Sequence, residues 1–246
     1  MLDDNEARLL CNGCYGFLVS IYEIKAGEGS TTDKADRLMD QLVQLVSADE
    51  RRQVEAALLK KEDQAANLDP GSLRMLATSE FVADGLAGKT EFDWSAAVIG
   101  LCKAVELEMV VRLVEPLRAA CQGRDLRPEV SDKDLGRMAG YCAGKTRPPE
   151  LGVVRHTLQT LANSKHRVAT SALAEGLRSL MATWPRSDWL LRPDGALKHL
   201  QDLTTYRNSA AHIDELDDHD YRKCRELVVG NPGFLWHFVL ATTSRR

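Results

Sequence analysis

The stretch from Asp93 to about Ala120 constrains this chain more than any other. At the roughly 100° per residue of an α-helix, Trp94, Val98, Leu101 and Val105 share one face, and Ala97 and Ala104 flank it. Ile99, Val110 and Leu113 make much of the opposite side apolar as well. A helix that is hydrophobic nearly all round has no face to give to water, so it belongs at the centre of a helical bundle. Pro116 has no amide hydrogen to give to the carbonyl four residues back, which predicts a kink or an end there.

The rest of the chain supplies helices to surround it. Aromatic residues are only 6%, and the period-two alternation of strands is nearly absent. Leu38, Leu42, Leu45 and Val46 recur at helical spacing within 36–46. Ser47-Ala-Asp-Glu50 is a capping box that predicts a helix through Lys61. Asp69-Pro70-Gly71 reads as a turn before a short helix over 72–83. Further helices are expected at 132–142, 150–163, 168–183, 194–211, 217–229 and 233–242, with loops at 144–149 and 184–188. Asp84-Gly-Leu-Ala-Gly88 interrupts the pattern and is read as a boundary. The expected architecture is all-α: a helical accessory module over 1–90 and a helical bundle over 91–246.

Composition narrows the function classes. With 246 residues, 44% apolar and 28% charged, the chain can bury a core without disulfide or metal staples. A net charge of −4 excludes a polycation built for duplex DNA. Charge is uneven, however: residues 145–207 carry ten Lys/Arg against five Asp/Glu, and residues 1–92 carry ten against seventeen. A basic bundle beside an acidic module permits an RNA-facing side, and a solvated helix surface fits the charge equally well. The start Met-Leu-Asp-Asp-Asn-Glu has neither the basic nor the apolar run of a signal peptide. No stretch approaches the ~18 apolar residues of a membrane span. Six scattered cysteines suit reduced thiols, and Cys11-x-x-Cys14 has no second pair to complete a metal site. The expectation is a cytoplasmic protein with no membrane partner.

Several standard sites are missing. There is no P-loop, and Gly140-Tyr-Cys-Ala-Gly-Lys-Thr146 lacks the spacing of one. Neither His-Glu-x-x-His nor Gly-x-Ser-x-Gly occurs. One segment does concentrate chemistry: Tyr206-Arg207-Asn208-Ser209-Ala210-Ala211-His212, after the amphipathic Leu197, Leu200 and Leu203. Arginine holds a phosphate by a bidentate fork, and histidine titrates near neutrality and moves protons. Asn208 and His212 are i,i+4 neighbours. Arg207 and His212 lie about 140° apart on an ideal helix, so they converge only if the helix ends there, if the arginine wraps round it, or if two chains share the site.

These residues carry a resemblance. Arg207-Asn-Ser-Ala-Ala-His212 resembles the Arg-x(4–6)-His motif of HEPN domains, and Asp93–Glu108 is similar to an early helix of bacterial members. The likeness covers about 92–246 and leaves 1–90 unexplained. It implies a bundle of four or five helices that dimerises and cleaves RNA without a metal or cofactor, tRNA and mRNA both being open as substrate. Many members are toxins or antiviral effectors. Carried over, Arg207 and His212 would be catalytic and Asn208 would orient them. Some members carry a modified Tyr two residues after the His; Asp214 stands there in this chain, so that control does not carry over. The alternative is a non-catalytic bundle for dimerisation, RNA binding or an antitoxin or adaptor role. Residues 1–90 are the expected dock for a regulatory protein, and Ser209, Ala210 and Ala211 are small enough to admit a second helix at a homodimer interface.

Two acidic features remain. Glu108 and Arg112, four residues apart in an apolar helix, read as a structural ion pair, with Glu108 or Glu106 as the alternative brace for the motif. Asp214-Glu-Leu-Asp-Asp-His-Asp220 reads as a solvated loop that caps the next helix, ahead of a metal site.

Overall fold

The computed structural model describes residues 12–88, 92–212, 215–231 and 233–243; Cys11 and Asp214 lie outside them. The described residues are all-α, without a strand. Helices α1 (Asn12–Ala26), α2 (Thr31–Leu45), α3 (Ala48–Lys61) and α4 (Pro70–Leu86) lead to α5 (Ser95–Met109). After it come α6 (Glu115–Ala120), α7 (Lys133–Cys142), α8 (Leu151–Asn163), α9 (Lys165–Thr170) and α10 (Ala172–Met181). The chain finishes with α11 (Asp188–Leu191), α12 (Ala196–Ala211), α13 (Asp218–Val229) and α14 (Phe234–Thr242).

Local chemistry sets these boundaries. The Ser47 hydroxyl accepts the Glu50 amide at 3.3 Å, and the Glu50 carboxylate accepts the Ser47 amide at 3.1 Å. That is the reciprocal box expected from the sequence. Ser30 and Asp33 build the same box at the start of α2, five residues before the expected helix, because the polar first turn hides it from hydrophobic periodicity. Asp69 caps α4 through Gly71, and Pro70 occupies a first-turn position where its missing donor costs nothing. α4 then runs through Gly85 to Leu86, and Gly88 turns away with φ +77°. Ser164 caps α9 and Ser171 caps α10, splitting what the sequence suggests is one helix over 168–183.

α5 is the axis of the bundle. Every residue of it except Lys103 and Leu107 is buried, and α2, α4, α12 and α13 pack around it. The contact with α4 is the most extensive. There Ser79 Oγ donates to the Ala97 carbonyl at 2.7 Å, and a Cβ on Gly100 would sit 2.8 Å from the Ser79 Cβ. Pro116 does not end this helix. Val110–Val114 widens into a π-turn in which the Glu115 amide reaches the Val110 carbonyl, and α6 continues to Ala120. The wider turn re-registers the hydrogen bonds just ahead of the proline ring.

One hydrophobic cluster extends from Ile21 on α1 to Val239 on α14. Leu38 and Leu42 of α2 and Leu76 of α4 share it with Leu101, Leu200 and Phe234, so helices from both sides of Gly88 bury their apolar faces together. Lys25 of α1 reinforces this, reaching Asp93 at 2.7 Å and Ser95 at 3.0 Å. Among the described residues no helix is long and apolar enough to cross a membrane.

Candidate functional site

The buried face of α12 reads Ala196, Leu197, Leu200, Leu203, Arg207, Ala210 and Ala211. Arg207 therefore occupies a core position in an otherwise apolar stripe, and only 5% of it is exposed. Its side chain enters the seam between α12, α5 and α2, where Nε stands 3.7 Å from the Glu106 carboxylate. Nη2 is buried with no hydrogen-bond partner. Ala35, Asp36 and Met39 of α2 close the seam, which has no room for a water-sized sphere.

Charges alternate outward from this point. Glu106 lies 3.6 Å from Lys103, Lys103 donates to Asp36 at 3.1 Å, and Asp36 lies 3.7 Å from Arg147 at the surface. Arg147 also reaches Asp33 at 3.7 Å. Acidic residues of α2 are thus matched against basic residues of α5 and of the 145–207 segment. Burial pushes the Glu106 carboxyl above its usual range; the Lys103 and Arg207 cations pull it down without cancelling that effect.

α12 ends at Ala211, and His212 is its C-cap, with its amide 3.1 Å from both the Asn208 and Ser209 carbonyls. The His212 and Asn208 side chains are exposed, on the solvent side of the helix from which Arg207 turns away. Within one chain, the three motif residues are therefore not gathered at one point. Ala210 and Ala211, expected at a homodimer interface, are fully buried inside the bundle.

The two glutamates of α5 separate clearly. Glu108 binds Arg112 and accepts the Asp69 amide at 3.0 Å, and Arg112 also reaches the Asn67 carbonyl. Glu108 forms the ion pair with Arg112 that the spacing suggests and, beyond that reading, holds the turn before α4, while Glu106 is the residue beside Arg207. The acidic loop is also structural where it is described. Asp217 and Asp220 form a capping box at the start of α13, where the exposed amides favour negative charge. Leu216 ties the loop to α5, its amide donating to Asp93 at 3.2 Å and its carbonyl accepting the Trp94 amide at 2.8 Å. Among the described residues no cluster of His, Cys, Asp and Glu is placed to hold a metal ion.

No protein-family model, curated protein or solved structure matches this chain. The site stands on its own geometry.

Proposed function

We propose that this chain is a metal-independent ribonuclease of the HEPN type, held closed by its own helix α2. The observation that carries this is Arg207, a permanently charged side chain set in a core stripe with one guanidinium nitrogen unpartnered. A buried donor without a partner costs roughly 1–3 kcal/mol, and an apolar residue of similar size would avoid that cost. Departures from consistent packing gather at functional sites.

Once α2 moves aside, Arg207 stabilises the charge that develops on a pentacoordinate phosphorus. His212, beside Asn208 on the exposed side of α12, shuttles protons between the RNA 2′-hydroxyl and the leaving oxygen, and the Arg207 it works with comes from the second copy of the chain. The 2′-hydroxyl is the nucleophile, so the substrate is RNA. A second copy across a two-fold axis supplies the second acid–base group. A toxin or antiviral role for such an enzyme follows from the family resemblance. The burial of Arg207 favours one other reading, a non-catalytic bundle in which Arg207 and Glu106 form a structural pair.

The test is incubation of cellular RNA in EDTA with the wild type and with Asp36→Ala, which removes the α2 contact to Lys103 and one of the two α2 carboxylates beside Arg147. Cleavage should rise in the variant, leave 2′,3′-cyclic phosphate and 5′-hydroxyl ends, and vanish when His212→Ala or Arg207→Ala is added. Absence of cleavage from every protein counts against the nuclease reading and favours the non-catalytic bundle. Cleavage that survives His212→Ala removes the site assignment.

A further inference from the structure

Helices α8 and α12 pack side by side, so closely that a Cβ on Gly152 would sit 3.7 Å from Thr204 Cγ2. Arg155 stands one turn further along α8. Its Nη1 donates to Gln159 Oε1 at 2.9 Å and to Gln201 Oε1 of α12 at 2.5 Å. Among the described residues Nε is buried with no hydrogen-bond partner, and Nη2, which is not buried, has none either. No described carboxylate pairs with this cation. α8 carries no acid, and Glu150 at its N-cap is taken by Arg137 at 2.7 Å and by Arg147 at 3.6 Å. Two neutral amides thus fix the guanidinium without cancelling its charge, unlike the carboxylates that meet Arg192 and Arg222. Gln201 also begins a stripe. Gln201, Thr205, Asn208 and His212 are all exposed, and at about 100° per residue they fall within about 60° of one another. Arg155 therefore flanks one end of the solvent face whose other end is His212, about 17 Å away along the helix axis.

We propose that Arg155, held by Gln159 and Gln201, is a phosphate-binding subsite for single-stranded RNA that lies along the exposed stripe of α12. The two N–H groups of Nη2 supply the contact, since both hydrogens of Nη1 are spent on the glutamines. The phosphate held there is several nucleotides from the one cleaved at His212, so Arg155 binds and positions the strand and takes no part in the chemistry. A contact of this kind fixes the register of a strand without reading its sequence. A single strand suits it, because its backbone bends into the in-line geometry that attack by a 2′-hydroxyl needs. The stripe faces solvent while Arg207 points towards α2, so the subsite is open even where α2 covers Arg207. The choice of RNA rests on the ribonuclease reading; the phosphate contact does not.

The test titrates the full-length protein into a labelled 2′-O-methyl oligouridylate of about 12 nucleotides and reads fluorescence anisotropy at several salt concentrations. This probe keeps the phosphates and has no free 2′-hydroxyl to attack them, so binding is scored apart from cleavage. Arg155→Gln should weaken binding about tenfold, the loss of one charge-assisted contact. The slope of log K against log salt should shrink by about 0.7, the share of one phosphate of a single strand. Arg155→Lys keeps the charge and should keep the slope, whereas a merely structural Arg155 would leave the slope unchanged in both variants. If Arg155→Gln does not fold, phenylglyoxal labelling of the wild type decides: the oligonucleotide should shield Arg155 and leave the exposed Arg222 reactive, and an unshielded Arg155 overturns the proposal. Equal affinity and slope for wild type and Arg155→Gln, or no binding by the wild type, overturns the subsite whatever the cleavage assay shows. The expected slope change in a protein that cuts no RNA keeps the subsite and removes the ribonuclease reading.

Discussion

Replacing Arg207 by Met probes whether the charge in the α12 stripe is a burden to the fold. Arg207 and Glu106 are 5% and 8% exposed, so the pair is largely desolvated. Removing one member of a buried pair costs about 3–5 kcal/mol, because the other charge is left behind. Two features of this site reduce that figure. Glu106 keeps Lys103 at 3.6 Å, and its raised pKa lets it take up a proton. The unpartnered Nη2 also disappears, returning part of a desolvation cost of about 1–3 kcal/mol. We expect Arg207→Met to destabilise the protein by about 2 kcal/mol and Arg207→Met with Glu106→Leu to lie within about 1 kcal/mol of the wild type. Urea unfolding followed by circular dichroism, with equal slopes for all variants, measures this. A double variant that loses the full sum of the two single losses refutes the reasoning. Such a result would mean that Arg207 and Glu106 contribute separately rather than as a compensating pair.

Glu106 also predicts a pH dependence. Its folded-state pKa is raised, so the folded chain binds this proton more tightly than the unfolded one. The contribution is fully present below the ordinary value of 4.5 and is lost as pH rises from there through the raised folded value. The melting temperature of the wild type relative to Glu106→Gln should therefore fall with rising pH; a constant or widening advantage contradicts the assignment. Gly100→Ala places a Cβ 2.8 Å from Ser79 Cβ and 3.3 Å from Ser79 Cα, so the α4 backbone must shift. It should lower Tm by roughly 2–12 °C, as overpacking of about 1–3 kcal/mol does in a chain of this size, and an unchanged Tm would show that α4 yields freely. His212→Ala, at an exposed C-cap, should change stability by less than about 0.5 kcal/mol while abolishing cleavage; a larger loss in urea unfolding would assign His212 a structural role.

The helices were legible because their signals are local. Ser47 with Glu50, the apolar spacing of α5 and the punctuation at 144–149 each act within a few residues. Most expected helices from 132 to 242 lie within a few residues of the observed ones. The four-residue α11 carries too little periodicity to read. At the site, Arg207, Asn208 and His212 stood out as candidate residues, but the place of Arg207 in the buried stripe with Leu200 and Leu203 was not drawn from the sequence. Nor was the cover over it, because α2 meets α12 through a contact between residues 36–39 and 207 that no local pattern encodes. The alanines show the same limit: their size suggested a place for a second helix, and the bundle itself fills that place.

The charge ladder from Arg207 through Glu106, Lys103 and Asp36 to Arg147 also has an order in time. Synthesis runs from the N-terminus at about 5–20 residues per second, so α2 emerges well before α12. When Arg207 leaves the ribosome, the segment that covers it has already been made. A growing chain therefore need never display this guanidinium without its cover, whereas a proteolytic fragment that kept α12 and lost α2 would display it permanently. The acidic segment would then act as a chaperone built into the same polypeptide, and its position before the basic bundle, rather than after it, is what makes that service possible.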